Sequence, residues 1–215
     1  MVSVDGGSFL MGDSYNEGLN TERPAHNVFV SAFWIDRFEV SKAMWDRVTS
    51  WAITNGYVFQ NTGAGQANNH PVQMLNWYDI VKWCNARSEM DGLLPVYFTD
   101  SAQTSIYRNA QIDLTSDAVA WDRNGYRLPT EAEWEKAARG GLKGHHFPWP
   151  SYGGAYSAFI DGTKANFVSS GDPFESGTTP YTTPVGYYNG SQSPAGIDMG
   201  NGFGLYDMAG NLWEY

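Results

Sequence analysis

The stretch Asn124-Gly-Tyr-Arg-Leu-Pro-Thr-Glu-Ala-Glu-Trp-Glu-Lys-Ala-Ala-Arg-Gly-Gly141 constrains the fold most, because it states both where a helix begins and where it must stop. Pro129 disfavours helix before it. Thr130 can cap the first turn, and Glu133 can reach back to the Thr130 amide, so two donors without intrahelical partners are satisfied reciprocally. Glu131, Glu133 and Glu135 suit the positive N-terminal end of the helix dipole and Lys136 and Arg139 the other end, while Gly140-Gly141 supplies a left-handed exit. Ala132, Trp134, Ala137 and Ala138 fill the interior. The expected element is a capped helix with a scaffold role. Its glutamates alternate around the helix and form no carboxylate pair for acid–base chemistry.

A chain of 215 residues without a linker-like stretch reads as one domain, residues 1–215. Its 13 Lys and Arg against 23 Asp and Glu give a net charge of -10, the wrong sign for a phosphate backbone, so nucleic acid is not an expected partner. Aromatic residues, at 15%, nearly match the charged ones at 17%, beside 24 Gly and 10 Pro. A core of rings held by turns and loops is therefore expected, with few long elements. The lone Cys84 excludes an internal disulfide framework, leaving packing, hydrogen bonds or metal ions to stabilise the chain. No apolar run approaches the ~20 residues of a membrane span, and no basic region followed by an apolar one opens the chain, so neither a membrane contact nor a signal peptide is read here. The cysteine count leaves the compartment open, and the reading leans to a secreted or periplasmic one.

Taken in order, Gly6 to Gly12 suggests a brief strand entering a turn, and Asp13 to His26 a polar loop. Val28 to Val40 is β-branched and aromatic, and its near-continuous apolarity predicts a strand or strand pair buried on both faces, central to the sheet. Ser41 can cap a helix with Met44, Trp45, Val48, Trp51 and Ala52 on one face, ending at Asn55-Gly56. Asn76 can cap a second, with Asp79 at its third position and Trp77, Ile80, Val81 and Cys84 as an apolar stripe, which makes Cys84 a packed core thiol. Residues 93–124 suggest a hairpin-like excursion. From Gly140 to Gly204 periodicity fades, and so long a loop in a compact domain points to function or a metal that orders it.

Seven blocks then occur in a telling order: Gly6 to Gly12, Glu22 to Val28, Trp34 to Val40, His70-Pro71-Val72, Trp77 to Cys84, Tyr126 to Gly141, and Gly202 to Glu214. In this the chain resembles the formylglycine-generating enzyme (sulfatase-modifying factor) family over residues 5–215. The resemblance implies an α+β fold, a C-type-lectin-like variant of low regular secondary structure, with a few short helices around a small mixed or antiparallel sheet. It also implies an activity, the oxidation of a substrate-protein cysteine to formylglycine by molecular oxygen on a copper-binding cysteine pair. In the family that pair follows the block matched by Gly210-Asn211-Leu212-Trp213-Glu214, beyond Tyr215. With Cys84 alone, no two-thiolate copper site forms within this chain, so copper is expected only where that further segment is restored.

Calcium is the cofactor the resemblance carries over. It implies one calcium loop from Asn166, Phe167, Asp172 and Phe174, the phenylalanines giving backbone carbonyls, and a second from Asp207, Gly210, Leu212 and Glu214, with carbonyls from Gly210 and Leu212. A hard cation needs several such oxygens, and Gly-Asn turns let the backbone present them. Other candidates are weaker. His145-His146 read as solvated and not as a metal site, and the rings of Phe147 to Tyr152 and of Tyr187-Tyr188 read as packing before ligand stacking. Two functions follow: a calcium-stabilised binding domain without oxidase activity, or the oxidase with its catalytic segment absent or supplied in trans. The expected partner is a protein or peptide, with carbohydrate as a second ligand class and self-association through an open sheet edge as a further expectation.

Overall fold

The two longest helices begin where their caps are written. In the computed structural model, which describes residues 1–150, 159–175 and 181–215, helix α1 spans Lys42–Thr54 and α2 spans Trp77–Met90. Ser41 Oγ accepts the Met44 amide at 3.3 Å, and Asn76 Oδ1 accepts the Asp79 amide at 2.8 Å. Both helices belong to a unit made of Val40–Leu128 with Glu214–Tyr215, and Met1–Glu39 with Pro129–Trp213 form a second unit.

In the helical unit, Trp45, Val48 and Ala52 of α1 share a buried cluster with Val81, Trp83, Cys84 and Ala86 of α2 and with Tyr57, Val96, Tyr97 and Tyr107. Trp45 and Trp83 stack at 5.3 Å between ring centroids. The polar side of α2 is buried as well. Asp79 and Lys82 pair at 3.1 Å, and each also ties down a loop. Asp79 accepts the amides of Gln60 and Asn61 at 3.0 and 2.9 Å, and Lys82 donates to the carbonyls of Val58 and Ala110 at 2.6 and 3.2 Å. Burial alone would push the Asp79 carboxyl up. The two amides, Lys82 and the Asn61 carboxamide outweigh it and hold the group below the ordinary carboxylate value. One turn on, the Asn85 carboxamide accepts the amides of Val96 and Tyr97 and donates to the carbonyls of Tyr97 and Tyr107. Isolated bridges Tyr97↔Val119 and Phe98↔Ile106 give the hairpin-like excursion expected for residues 93–124.

The second unit contains two antiparallel ribbons: β1 (Val2–Val4) pairs with β4 (Phe33–Ile35), and β2 (Gly7–Met11) with β3 (His26–Val30). This corrects the expectation for Val28 to Val40. That segment contributes to two separate two-stranded ladders and is not buried on both faces, for Phe29 is 70% and Trp34 66% exposed. Alternation along a strand turns these side chains, opposite Ser8 and Ser3, away from the inner faces that bury Val30 and that pack Phe33 against Val4 and Leu205.

Helix α3 spans Glu131–Ala138 and closes the capping box, with Thr130 Oγ1 accepting the Glu133 amide at 3.2 Å and Glu133 Oε2 accepting the Thr130 amide at 2.8 Å. Ala137 packs with Val4 and Leu205. Lys136 donates to the carbonyls of Asp5 and Gly7, and Asn201 Nδ2 donates to the Ala137 carbonyl at the helix end. The result is a small α+β chain with few helices. Among the described residues, no helix is long and apolar enough to cross a membrane.

Candidate metal-binding loops

The glycine-rich part of the second unit is ordered by side chains that accept backbone amides. Asp161 starts the first loop, accepting the Thr163 amide at 3.0 Å, and its carbonyl accepts the Lys164 amide at 2.9 Å. This turn delivers Ala165 into a cluster with Trp149, Tyr188 and Met199 and leaves Asn166, 5% exposed, beside it. The chain then reverses through left-handed Ser169 and Gly171 (φ 66° and 79°), and Glu175 secures the reversal by accepting the amides of Ser170 and Gly171 at 2.8 and 2.7 Å.

Asp172, also 5% exposed, accepts the Phe174 amide on Oδ1 at 2.7 Å and the Ser170 hydroxyl on Oδ2 at 2.7 Å, with the Tyr188 hydroxyl at 3.4 Å. The Phe167 carbonyl accepts the Ser170 amide at 2.9 Å, and the Phe174 ring meets Tyr187 edge-on at 5.1 Å. The second loop is a tight turn without helix. Asp207, Gly210 and Asn211 are all left-handed, with φ of 59°, 90° and 66°. Asp207 Oδ2 accepts the Gly186 amide at 2.6 Å. A Cβ at Gly210 would run into the Asn166 carbonyl oxygen, so only glycine fits there.

Of the residues expected to bind calcium, the structure therefore brings Asn166 against Gly210, and it sets Asp172 on the Tyr188 hydroxyl and Asp207 on the amide of Gly186, two residues earlier. Burial drives the Tyr188 phenol up first, and the Asp172 carboxylate adds to this, with a further contribution from Asp207. Leu212 is half-buried in the same unit, whereas Glu214 belongs to the helical unit and lies at the surface. Among the described residues, no three His, Cys, Asp or Glu side chains gather as a metal-ligand group, so any cation here would depend on amide and carbonyl oxygens beside the carboxylates.

Several participants were not singled out in the sequence. Asn211 donates its amide to the Asn166 carbonyl at 2.8 Å and its Nδ2 to Glu39 Oε2 at 2.7 Å, while its Oδ1 accepts the Thr183 amide at 2.9 Å. The Gly210-Asn211 dipeptide, a left-handed turn signal, was the cue available for Asn211. Nothing comparable marks Glu39 or Thr183. Elsewhere in the unit, His146 stacks on Tyr15 at 3.8 Å, with Nε2 3.3 Å from Glu17 Oε2. Phe147 stacks on Trp149 at 5.0 Å, as packing predicts, while Ser151 and Tyr152 lie outside the described residues.

Copper does not fit this chain, since its single thiol, Cys84, is buried in the α2 cluster. Calcium does fit the donor chemistry. Asp172 and Asp207 present hard carboxylate oxygens, and glycine at 210 opens the close backbone approach that a carbonyl ligand needs.

Comparison with known proteins agrees with the order of the sequence blocks. The model of the sulfatase-modifying factor enzyme 1-like domain matches residues 1–215. The chain is similar to the chaperone protein LppX of Paenibacillus barcinonensis, at 32% identity over all of this chain and 70% of that protein. It is also similar to the inactive C-alpha-formylglycine-generating enzyme 2 of Mus musculus, at 29% identity over all of this chain and 67% of that one. The crystal structure of CarF superposes with a TM-score of 0.69 at 28% identity, covering 98% of this chain and 77% of CarF. With seven ordered blocks, a domain match over its whole length and this likeness in fold, the chain belongs to the formylglycine-generating enzyme, or sulfatase-modifying factor, family.

Proposed function

We propose that this polypeptide is a calcium-stabilised, non-catalytic binding domain on a C-type-lectin-like variant of the family fold. The observation that carries the reading is the pair of oxygen-rich turns, where Asn166 meets Gly210 and the buried Asp172 meets Tyr188. Oxidation at a copper-bound cysteine pair needs two reachable thiolates, and these 215 residues hold one, packed among the rings of α1 and α2. Similarity to an inactive formylglycine-generating enzyme and to a chaperone supports a role in binding.

Calcium would be held by the Asn166 and Asp172 side chains with the Phe167 and Phe174 carbonyls, and by Asp207 with the Gly210 and Leu212 carbonyls. Bound there, it would supply fixed positive charge, offsetting carboxylate repulsion in a chain of net charge -10 and ordering turns that have little regular structure of their own. The partner is a protein or peptide, met at apolar strand faces such as those carrying Phe29 and Trp34.

Two measurements test the reading. Elemental analysis and calorimetry after chelator treatment should find calcium bound, and a protein that binds none removes the calcium claim. Incubation with a cysteine-containing sulfatase peptide, copper and oxygen should leave the peptide mass unchanged. Conversion to formylglycine would establish the second reading, favoured by the family match alone, in which the chain takes part in the copper-dependent oxidation of a sulfatase cysteine.

A further inference from the structure

We infer that Asn211 is a positioning residue that couples the two oxygen-rich loops, so that a cation held by either loop raises the affinity of the other. The inference rests on the calcium reading above. Asn166 and Asn211 are 45 residues apart in sequence, yet their contact determines where a carbonyl of the second loop points. The Asn211 N–H donates to the Asn166 carbonyl at 2.8 Å, and that N–H shares a planar trans peptide with the Gly210 carbonyl. The two groups point in opposite directions. A residue of the first loop therefore sets the orientation of the Gly210 carbonyl, an oxygen of the second, and glycine at 210 allows the approach.

The Asn211 side chain locks this arrangement from the other side. Its Oδ1 accepts the Thr183 amide at 2.9 Å and Asn166 Nδ2 at 3.4 Å, and its Nδ2 donates to Glu39 Oε2 at 2.7 Å and reaches the Thr183 carbonyl at 3.5 Å. Four segments, at residues 39, 166, 183 and 211, thus meet at one carboxamide whose backbone sits at φ 66°, a conformation that asparagine tolerates better than most residues. A second bridge runs through the turn closed by Tyr187 N–H to the Pro184 carbonyl at 3.0 Å. Gly186 of that turn donates its amide to Asp207 at 2.6 Å, and Tyr188, the residue after it, donates its hydroxyl to Asp172 at 3.4 Å. Ordering either loop around a cation fixes both bridges, so the other loop has less freedom to lose when it binds, and the coupling is positive.

Calcium titration calorimetry on the stripped chain tests this, with wild type, Asp172→Asn, Asp207→Asn, Asn211→Gly and Glu39→Ala compared and melting of each measured without calcium as a folding control. Wild type should take two ions with a Hill slope above one. Each Asp→Asn variant should take one ion about fivefold or more weakly than wild type, as expected for couplings of this kind. Asn211→Gly, which keeps the left-handed backbone and removes only the carboxamide, should bring the slope down to one. Glu39→Ala should reduce the slope in the same direction and keeps the question open to refutation if Asn211→Gly fails to fold. Two independent ions in wild type would overturn the coupling and leave the calcium reading standing. An unchanged slope in a folded Asn211→Gly chain would overturn the role of Asn211. No calcium binding in wild type would overturn both.

Discussion

The unit containing α1 and α2 and the unit containing α3 both use polar side chains to tie down loops, but they start from opposite backbones. In the first, two capped helices already satisfy most of their own amides, so Asp79, Lys82 and Asn85 project from α2 into a ring-filled core and capture flanking chain there. In the second, long stretches of the described residues lie outside any helix or ladder. Asp161, Asp172, Glu175, Asp207 and Asn211 take over that work, one or two amides each. A helix lets a few buried polar groups serve many residues, whereas a loop needs a side-chain acceptor at nearly every reversal. This also explains why the oxygen-rich loops fall in the second unit: carboxylates recruited to hold turns are already placed where a hard cation could share them.

The contrast can be broken most severely at Asp79. Asp79→Ala leaves the Lys82 ammonium buried without its carboxylate and two loop amides without their acceptor, and should cost about 3–5 kcal/mol in urea unfolding. Acid should attack the same pair. Because the Asp79 carboxyl sits below its ordinary value of 3.8, its contribution is complete above that pH and fades as pH falls through the lower folded-state value. An acid-unfolding curve for Asp79→Asn that lacks this component would confirm the assignment, and a curve identical to wild type would refute it.

Calcium sharpens the comparison from the other side. At a hundredfold excess over its dissociation constant, an ion that binds only the folded state adds about 2.7 kcal/mol. Chelation should therefore lower the melting temperature and speed amide exchange around Asn166 and Asn211 while leaving α1 and α2 protected. Uniform loss of protection across both units would mean that they do not differ in this way. The smallest effect is expected at Thr130→Ala, where loss of the capping box should cost about 1 kcal/mol by urea midpoint.

Local chemistry was legible in the sequence, and packing partners were not. The caps at Ser41, Asn76 and Thr130 could be placed to the residue because a cap needs only its own next turn. The apolar run from Val28 to Val40 was misplaced because apolarity says a segment can be buried without saying how many faces find a partner. Pairing within two-stranded ribbons left Phe29 and Trp34 outside. Asp79 stood at a helix position that its cap fully explained, and only the approach of Gln60, Asn61 and Lys82 made it a buried anchor.

The sequence by itself determined the family, the three capped helices and the single thiol, because ordered motifs, short-range hydrogen bonds and a residue count need no knowledge of distant contacts. Only the tertiary structure decided that Asn166 meets Gly210, that Asp207 and Asp172 bond Gly186 and Tyr188 of one short segment, and that Asn211 reaches Glu39 across 172 residues of chain. A hydrogen bond between such distant positions leaves no periodicity and no spacing to read. It exists only once the backbone between them has folded.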